Sequence, residues 1–514
     1  MLQRLKAFAK SQTFHIFLIF LAICFVAYVG YLNQNYIGDN YGGRVDAYDQ
    51  MSIGEFFNNH IVTDNGRHMS ITYWLLHAPL SKIGITYHQN QWVFFAIEII
   101  VMAIASTIFY KVFAKTLKCK KLSLPLLLVT SFIAVNPFIC DSLIYLLPSH
   151  PQALLFVAIS LYFLTKNTRL KSILLSLLFL TLAVSTYQNY YALFAILALP
   201  LIFIENKGKL DKTLAKRTAI ALGIMAVSIG IVLVVSKLHC AILGVNASKN
   251  TTIHLSISWL TSRAIWLAKS YLKTVKTNFY LFPPMLLVAI IASALIAIGT
   301  ILIKKHKIKE LIYVIIILAF GFMSPIYYGI IADTFYLAPR ILPAIFACLS
   351  ISIILLMYYA PKIINNQLFV GGTVAITAII VYCCSTFITD VMICNRIELA
   401  EMRVIMDAIE RYEAENNTTV NTIAVYHVVG AKNEMLKSNI HMKAAENASR
   451  DIATTGWSDV SSISTMSGRD FERKDMTEEQ YKELFSDITM EDFRQFNPER
   501  RLRIKNNTLY WAEY

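Results

Sequence analysis

Apolar runs of roughly 17 to 21 residues, almost free of charge, recur along this 514-residue chain, and that is about the length at which a helix covers the roughly 30 Å hydrocarbon core of a bilayer. About eleven spans are expected, the fourth, fifth and sixth of them short: Thr13–Leu32, Trp92–Tyr110, Leu122–Cys140, Gln152–Leu164, Ser172–Thr186, Tyr190–Ile204, Thr218–Ser236, Leu281–Ile303, Leu311–Ile331, Ile341–Tyr359 and Leu368–Ile388. With 56% hydrophobic and 16% charged residues, the composition excludes an ordinary soluble domain. A polytopic α-helical membrane protein is the expected class.

Basic residues predict the orientation, because short cytoplasmic loops retain an excess of Lys and Arg. Arg4, Lys6 and Lys10, then Lys115–Lys121, Lys166–Lys171, Lys207–Arg217 and Lys304–Lys309 alternate with short connections near Ser142 and Gln188 that carry none. The amino terminus is therefore expected in the cytoplasm and the segment from Thr389 onward outside it. The first apolar run spans and lacks a small-residue cleavage site, so a removed signal peptide is not expected. The net charge of +14 conceals two opposed parts. From Thr389 to Tyr514 there are 16 Lys+Arg against 22 Asp+Glu, which leaves 31 against 11 for residues 1–388. Topology accounts for that basicity, so nucleic-acid binding is not implied.

Two connections on the outward side are long, 33–91 and 237–280, and long ordered connections usually carry function. In the first, Asp46–Asn59 and Ser70–Lys82 have the pattern of short amphipathic helices. In the second, Ile253–Tyr280 interleaves Trp259, Trp266 and Tyr271 with Arg263, Lys269, Lys273 and Lys276, a basic amphipathic helix suited to an interface. The segment 389–514 is expected to form a small α/β domain. Its anticipated elements are a helix over Arg396–Asn416, a strand over Thr422–Val429 closed by Gly430, helices near Thr477–Phe485 and Met490–Phe496, and a strand over Arg503–Trp511. The eight cysteines show no metal spacing and read as small core residues. No phosphate-binding loop, His-Glu-x-x-His or dinucleotide fingerprint occurs. No dedicated metal-ligand set is visible either, although one or two carboxylates with a phosphate can hold magnesium.

Candidate chemistry lies where charged groups meet outer ends of spans. Ionisable groups near a bilayer are costly unless paired or hydrated. Asp39, in Gly38-Asp-Asn-Tyr-Gly-Gly-Arg44, is the leading carboxylate. Arg44 can match a carboxylate or phosphate with two parallel bonds, which lysine cannot. Asp46, Asp49 and Glu55 read equally as a solvated helix face. Asn65-Gly-Arg67-His68 is a turn by its Asn-Gly pair that returns a second cation. Tyr187-Gln-Asn-Tyr-Tyr191 offers amides and phenols of the kind that hold sugar hydroxyls, or else an aromatic belt. Asp141 and His150 offer a carboxylate and an imidazole. Asp333 and Arg340 place opposite charges near one face, with Asp333 the only local compensation for Arg340 and a phosphate or carboxylate its expected partner. Glu98 is the main charge within a span.

Gly38–Arg44, Asn65-Gly-Arg67, Tyr187-Gln188 and Pro339-Arg340, in that arrangement, resemble the Gtr-type glucosyltransferases, O-antigen-modifying enzymes similar to the GT-C superfamily. The resemblance implies a GT-C-like fold of about eleven spans with an extracytoplasmic C-terminal domain, seated in a bacterial inner membrane. It implies transfer of glucose from undecaprenyl-phosphate glucose to a surface polysaccharide, with a companion flippase and a donor-synthesising transferase. It maps the essential acid onto Asp39; Asn40 stands where the family commonly has an adjacent acid, which leaves Asp39 to work alone or with Asp46. Arg44, Arg67 and Arg340 would bind the donor phosphate; Asn40, Tyr187, Gln188 and Asp333 would bind sugar or acceptor. A polysaccharide polymerase is the nearest alternative. A lipid-linked glycan transporter or flippase is less favoured, since it predicts an internal repeat and charges at the midplane.

Overall fold

The structure is a computed structural model. It describes residues 11–33, 51–58, 67–85, 87–119, 121–144, 150–166, 169–244, 254, 256–332, 337–431 and 458–514. The chain divides into two compact units, the first comprising 1–33, 51–79 and 92–386 and the second 34–50, 80–91 and 387–514.

The helices, in chain order, are α1 (Gln12–Tyr28), α2 (Ile53–Phe57), α3 (Ile71–Ser81), α4 (Tyr87–Thr116), α5 (Leu124–Ser131), α6 (Pro137–Ile144), α7 (His150–Lys166), α8 (Leu170–Thr186), α9 (Tyr190–Glu205) and α10 (Lys212–Leu243). They continue with α11 (Ile257–Thr277), α12 (Leu286–Lys304), α13 (Ile308–Met323), α14 (Tyr327–Ile331), α15 (Ala344–Tyr359) and α16 (Gln367–Asn416). Among the described residues, six segments are long and apolar enough to cross a membrane: Gln12–Leu32, Asn90–Thr116, Lys212–Leu243, Leu286–Lys304, Ile308–Ile331 and Gln367–Asn416. The expectation of about eleven crossings is thus met at six positions by helices of that length. α8, α9 and α15 are apolar but shorter, and the third expected span is not one helix.

That third span, Leu122–Cys140, breaks into α5 and α6, and the sequence supplies the cause. Pro137 has no N–H to continue the ladder, and Asn136 just before it turns its side chain back on the chain. Asn136 Oδ1 accepts from the N–H groups of Phe138 and Ile139, and Nδ2 donates to the Phe132 carbonyl. Tyr28, fully buried on α1, clamps the break: its hydroxyl donates to the Ala134 carbonyl at 2.9 Å and accepts from Asn136 N–H at 3.1 Å. Polar backbone freed inside an apolar bundle is thereby satisfied, as its burial demands.

α9 is the axis of the first unit. Every residue from Tyr190 to Ile204 is buried, because α7, α10, α13 and α15 pack around it, and a helix apolar on all sides belongs in such a position. α13 approaches closely: a Cβ at Gly321 would lie 2.8 Å from the Ile196 Cα. Small residues permit helix contacts this close. The lysine-rich connections lie at one end of this bundle, where Lys115 Nζ bonds the Thr165 carbonyl, Arg217 pairs with Glu205 and Lys307 pairs with Glu310. Since α7 and α9 start at the other end and α8 finishes there, His150, Thr186 and Tyr190 meet opposite the lysines.

The second unit contains α17 (Asp459–Ser467), α18 (Glu478–Leu484), α19 (Pro498–Arg501) and a sheet of β1 (Thr422–His427), β2 (Glu472–Asp475), β3 (Leu502–Lys505) and β4 (Thr508–Glu513). The sheet order is β2-β1-β4-β3, with β1 parallel to both β2 and β4 and β3 antiparallel to β4. The expected strand over Arg503–Trp511 is in fact a tight hairpin, because Asn506 and Asn507 take positive φ, a conformation that asparagine tolerates. Arg469 forks onto Glu413, with bonds of 3.0 and 2.6 Å.

Gly321→Val should lower the thermal unfolding midpoint of the detergent-solubilised protein by an amount corresponding to about 1–3 kcal/mol of overpacking. Gly223→Val on α10, with nothing near its Cβ direction, should change it far less. In the second unit, the Arg469 fork holds the Glu413 carboxyl below its ordinary range. Its contribution to stability is therefore complete above the unfolded value of about 4.3 and lost as pH falls through the lower folded value. Glu413→Gln should flatten that acid limb in an unfolding titration.

Candidate functional site

The site grows out of three helix ends and one 3-10 turn in the first unit. α8 stops at Thr186 because Tyr187 turns extended (φ −152°, ψ 120°), and α9 begins at Tyr190, so the Tyr187–Tyr190 corner is almost all side chain. His150 opens α7 with Pro151 behind it, a position where proline costs no helix bond. The His150 ring lies 4.5 Å from that of Tyr187, and its Nδ1 is 3.4 Å from the Tyr190 hydroxyl. The Arg67 guanidinium carbon stands 4.7 Å above the Tyr187 ring, within range of a cation–π attraction. Both Arg67 and Arg340 act on His150 electrostatically. Burial, with those two cations, holds this imidazole well below its ordinary range, so His150 is neutral.

Arg340 finds a partner that its sequence neighbourhood did not indicate. Its backbone N–H and its Nη1 both donate to Asp141 Oδ2, at 3.1 and 3.2 Å. Asp141 is fully buried, and its Oδ1 makes no hydrogen bond among the described residues. Arg340, for which a phosphate or carboxylate partner was expected, meets the carboxylate of Asp141, delivered by the break that creates α6, while Asp333 lies outside the described residues. Burial raises the Asp141 carboxyl above its usual range, against the opposing pull of Arg340. Asn189 Nδ2 reaches the Ile341 carbonyl at 3.4 Å and so ties the tyrosine corner to the Arg340 turn.

Arg67 is positioned from behind. It precedes a 3-10 turn at His68–Ser70. His68 Nε2 lies 3.3 Å from His239 Nδ1, whose other nitrogen is 3.3 Å from Asn58 Oδ1. Phe57 packs on His239 with ring centroids 4.6 Å apart. Arg67 Nε is sealed from solvent and makes no hydrogen bond among the described residues. Glu98 on α4 is buried and accepts from Gln152 at 3.3 Å, and its charge is felt by Tyr190. Gln188 lines a narrow crevice with Val184, Val232, Ser236 and Tyr328.

Of the residues singled out in the sequence, Arg67, Tyr187 and Arg340 are thus gathered with Asp141 and His150, and Gln188 borders them. Asp39, Asn40, Arg44, Asp46 and Asp333 lie outside the described residues. His239 was not singled out for chemistry; it sits in an apolar helix 171 residues from its partner, and nothing local marks it.

Fold and site together define a many-helix membrane protein with an arginine- and tyrosine-lined polar centre at one end of its bundle. The family model described as Glucosyl transferase GtrII matches residues 56–357, more than half of the chain, and the protein belongs to that family. The match includes Arg67, Asp141, His150, Tyr187 and Arg340, and it ends before the 387–514 part of the second unit. No curated protein and no solved structure matches the chain significantly.

Removing one member of a buried ion pair strands the other, at a cost of about 3–5 kcal/mol. Arg340→Met should therefore lower the unfolding midpoint strongly. Asp141→Asn combined with Arg340→Met should recover much of that loss in a double-mutant cycle, which would identify the two groups as each other's energetic partner.

Proposed function

We propose that this protein moves a glucosyl residue from a polyprenyl-phosphate sugar to a cell-surface polysaccharide at the outer face of the cytoplasmic membrane, with its N-terminus inside and the 389–514 segment outside. The family supports glucosyl transfer. The observation that carries the finer reading is the convergence of Arg67 and Arg340 on the neutral His150 and the Tyr187 ring. Two guanidiniums beside a polar corner in an apolar bundle suit a donor with one phosphate and a lipid tail, since charge-assisted bonds to phosphate strengthen as solvent is excluded.

In this reading the acceptor hydroxyl oxygen bonds to the anomeric carbon as the bond from that carbon to the phosphate oxygen breaks. The hydroxyl proton passes to a carboxylate, for which Asp39 is the choice, with Asp46 beside it in sequence. The electron pair leaves with the lipid phosphate, whose charge Arg67, Arg340 and Arg44 stabilise. Asn40, Tyr187, Gln188 and Asp333 orient sugar hydroxyls, and the C-terminal segment selects the acceptor. General-base catalysis contributes about 10²–10⁴-fold, and transition-state charge stabilisation a further large factor.

The test uses purified protein, radiolabelled polyprenyl-phosphate glucose and a surface-glycan acceptor. Asp39→Asn should reduce transfer by about 10²-fold or more at equal expression and folding. Arg67→Ala should weaken use of the lipid donor. Unimpaired transfer by Asp39→Asn would move the base to another carboxylate, Glu98 being the next to vary. Transfer from no monophosphate-linked sugar, with activity on diphosphate-linked oligosaccharides, would favour a polymerase.

A further inference from the structure

In the second unit, the parallel strands β1 and β4 end side by side, and their last paired residues are His427 and Glu513. Parallel neighbours in register present their side chains on the same face. Asp459, the first residue of α17, reaches the same point. His427 Nδ1 is 3.1 Å from Glu513 Oε2, and Nε2 is 3.4 Å from Asp459 Oδ2. Carboxyl ends of parallel strands are where open α/β sheets place their ligands. We propose that His427, Asp459 and Glu513 form a binding site for a divalent transition cation.

Four observations carry this inference. One nitrogen of His427 and one oxygen from each carboxylate all lie within 4.8 Å of one another, a cluster that side-chain rotations can close onto one ion with bonds of about 2.0–2.4 Å. His427 Nε2 is sealed from solvent and makes no hydrogen bond among the described residues. It faces Asp459 Oδ2 at about the 3.3 Å separation that two ligands of a tetrahedral ion with bonds of about 2.0–2.1 Å take. The Asp459 and Glu513 side chains are fully buried, whereas that of His427 is 38% exposed, so the cluster borders the surface of the second unit.

The fourth observation is the charge balance. Asp459 is already bound by Arg473, through Nε at 2.9 Å and Nη2 at 3.1 Å. Arg501, fully buried, is attracted to Glu401 and Glu513. Asp459 and Glu513 are both buried carboxylates, and buried charges are found paired or coordinating metals. Each carboxylate oxygen can accept twice, so Asp459 can keep Arg473 and still ligate. A nitrogen with two carboxylate oxygens and no sulfur suits Zn²⁺ or Mn²⁺.

Full-length protein carrying a histidine-free tag would be stripped with a chelator and titrated with Zn²⁺ and, separately, Mn²⁺, the bound metal being counted by mass spectrometry. One saturable equivalent of one of these ions is expected, with affinity falling about tenfold or more in His427→Gln. Absence of saturable binding by both ions, or equal affinity in the folded variant, would overturn the site and leave His427 as a link between two carboxylates. Should His427→Gln fail to fold, Co²⁺ loaded into the unmodified protein decides: nitrogen-containing coordination in its X-ray absorption spectrum supports the site, and an all-oxygen hydrated ion overturns it.

Discussion

The first unit depends on a carboxylate being buried where a carboxylate alone could not remain. Asp141 lies wholly inside the bundle, and Arg340 makes that tolerable with two bonds to one oxygen. Neither residue reaches the other without a departure from regular structure. Asp141 rides on α6, which exists because Asn136-Pro137 interrupts an apolar run that would otherwise cross as one helix. Arg340 sits in a 3-10 turn ahead of α15. The hydroxyl of Tyr28 supports the break from α1, so a phenol on the first helix, an asparagine on the broken one and an ion pair at its far side form one connected device.

Around this device the bundle is polarised. Its lysine-bearing connections gather at one end, and the ends of α7, α8 and α9 that meet at the opposite side carry tyrosine, histidine and amide groups. α9 runs between the two, buried on every side, with Gly321 letting α13 approach its backbone. A shaft that is rigid and wholly apolar holds the Tyr190 end in register with the His150 and Arg340 turns. Precise placement of polar groups usually depends on such regular elements rather than on loops.

Long-range structure was legible where it repeats and illegible where it depends on a single pairing. Apolar length gave the helices, and the interleaved tryptophans and cations gave α11, where Arg263 stacks 4.8 Å over Trp266. Tyr187 and Arg67 stood out because aromatic and guanidinium groups at span ends are conspicuous. The Asp141–Arg340 bond joins residues 199 apart, and no local pattern encodes it. Even the break at Asn136-Pro137 had a sequence signal, but unbroken hydropathy on both sides outweighed it. β2, Glu472-Arg-Lys-Asp475, could not be read at all. It is an edge strand with polar residues at every position, and pairing to β1 rather than side-chain alternation makes it a strand.

The two arginines of the site are held by different forces, and the difference sets their roles. Arg340 spends hydrogen bonds on a buried carboxylate, so its position is fixed and part of its field is already cancelled. Arg67 rests on the face of Tyr187, which attracts a cation without neutralising it, and it forms no salt bridge among the described residues. An anion entering beside Tyr187 meets the full charge of Arg67 and the residual field of Arg340, with a neutral His150 between them. Holding one cation by a π face and the other by a carboxylate limits the repulsion between them while leaving attraction for an anion, which two carboxylate-paired arginines would retain less.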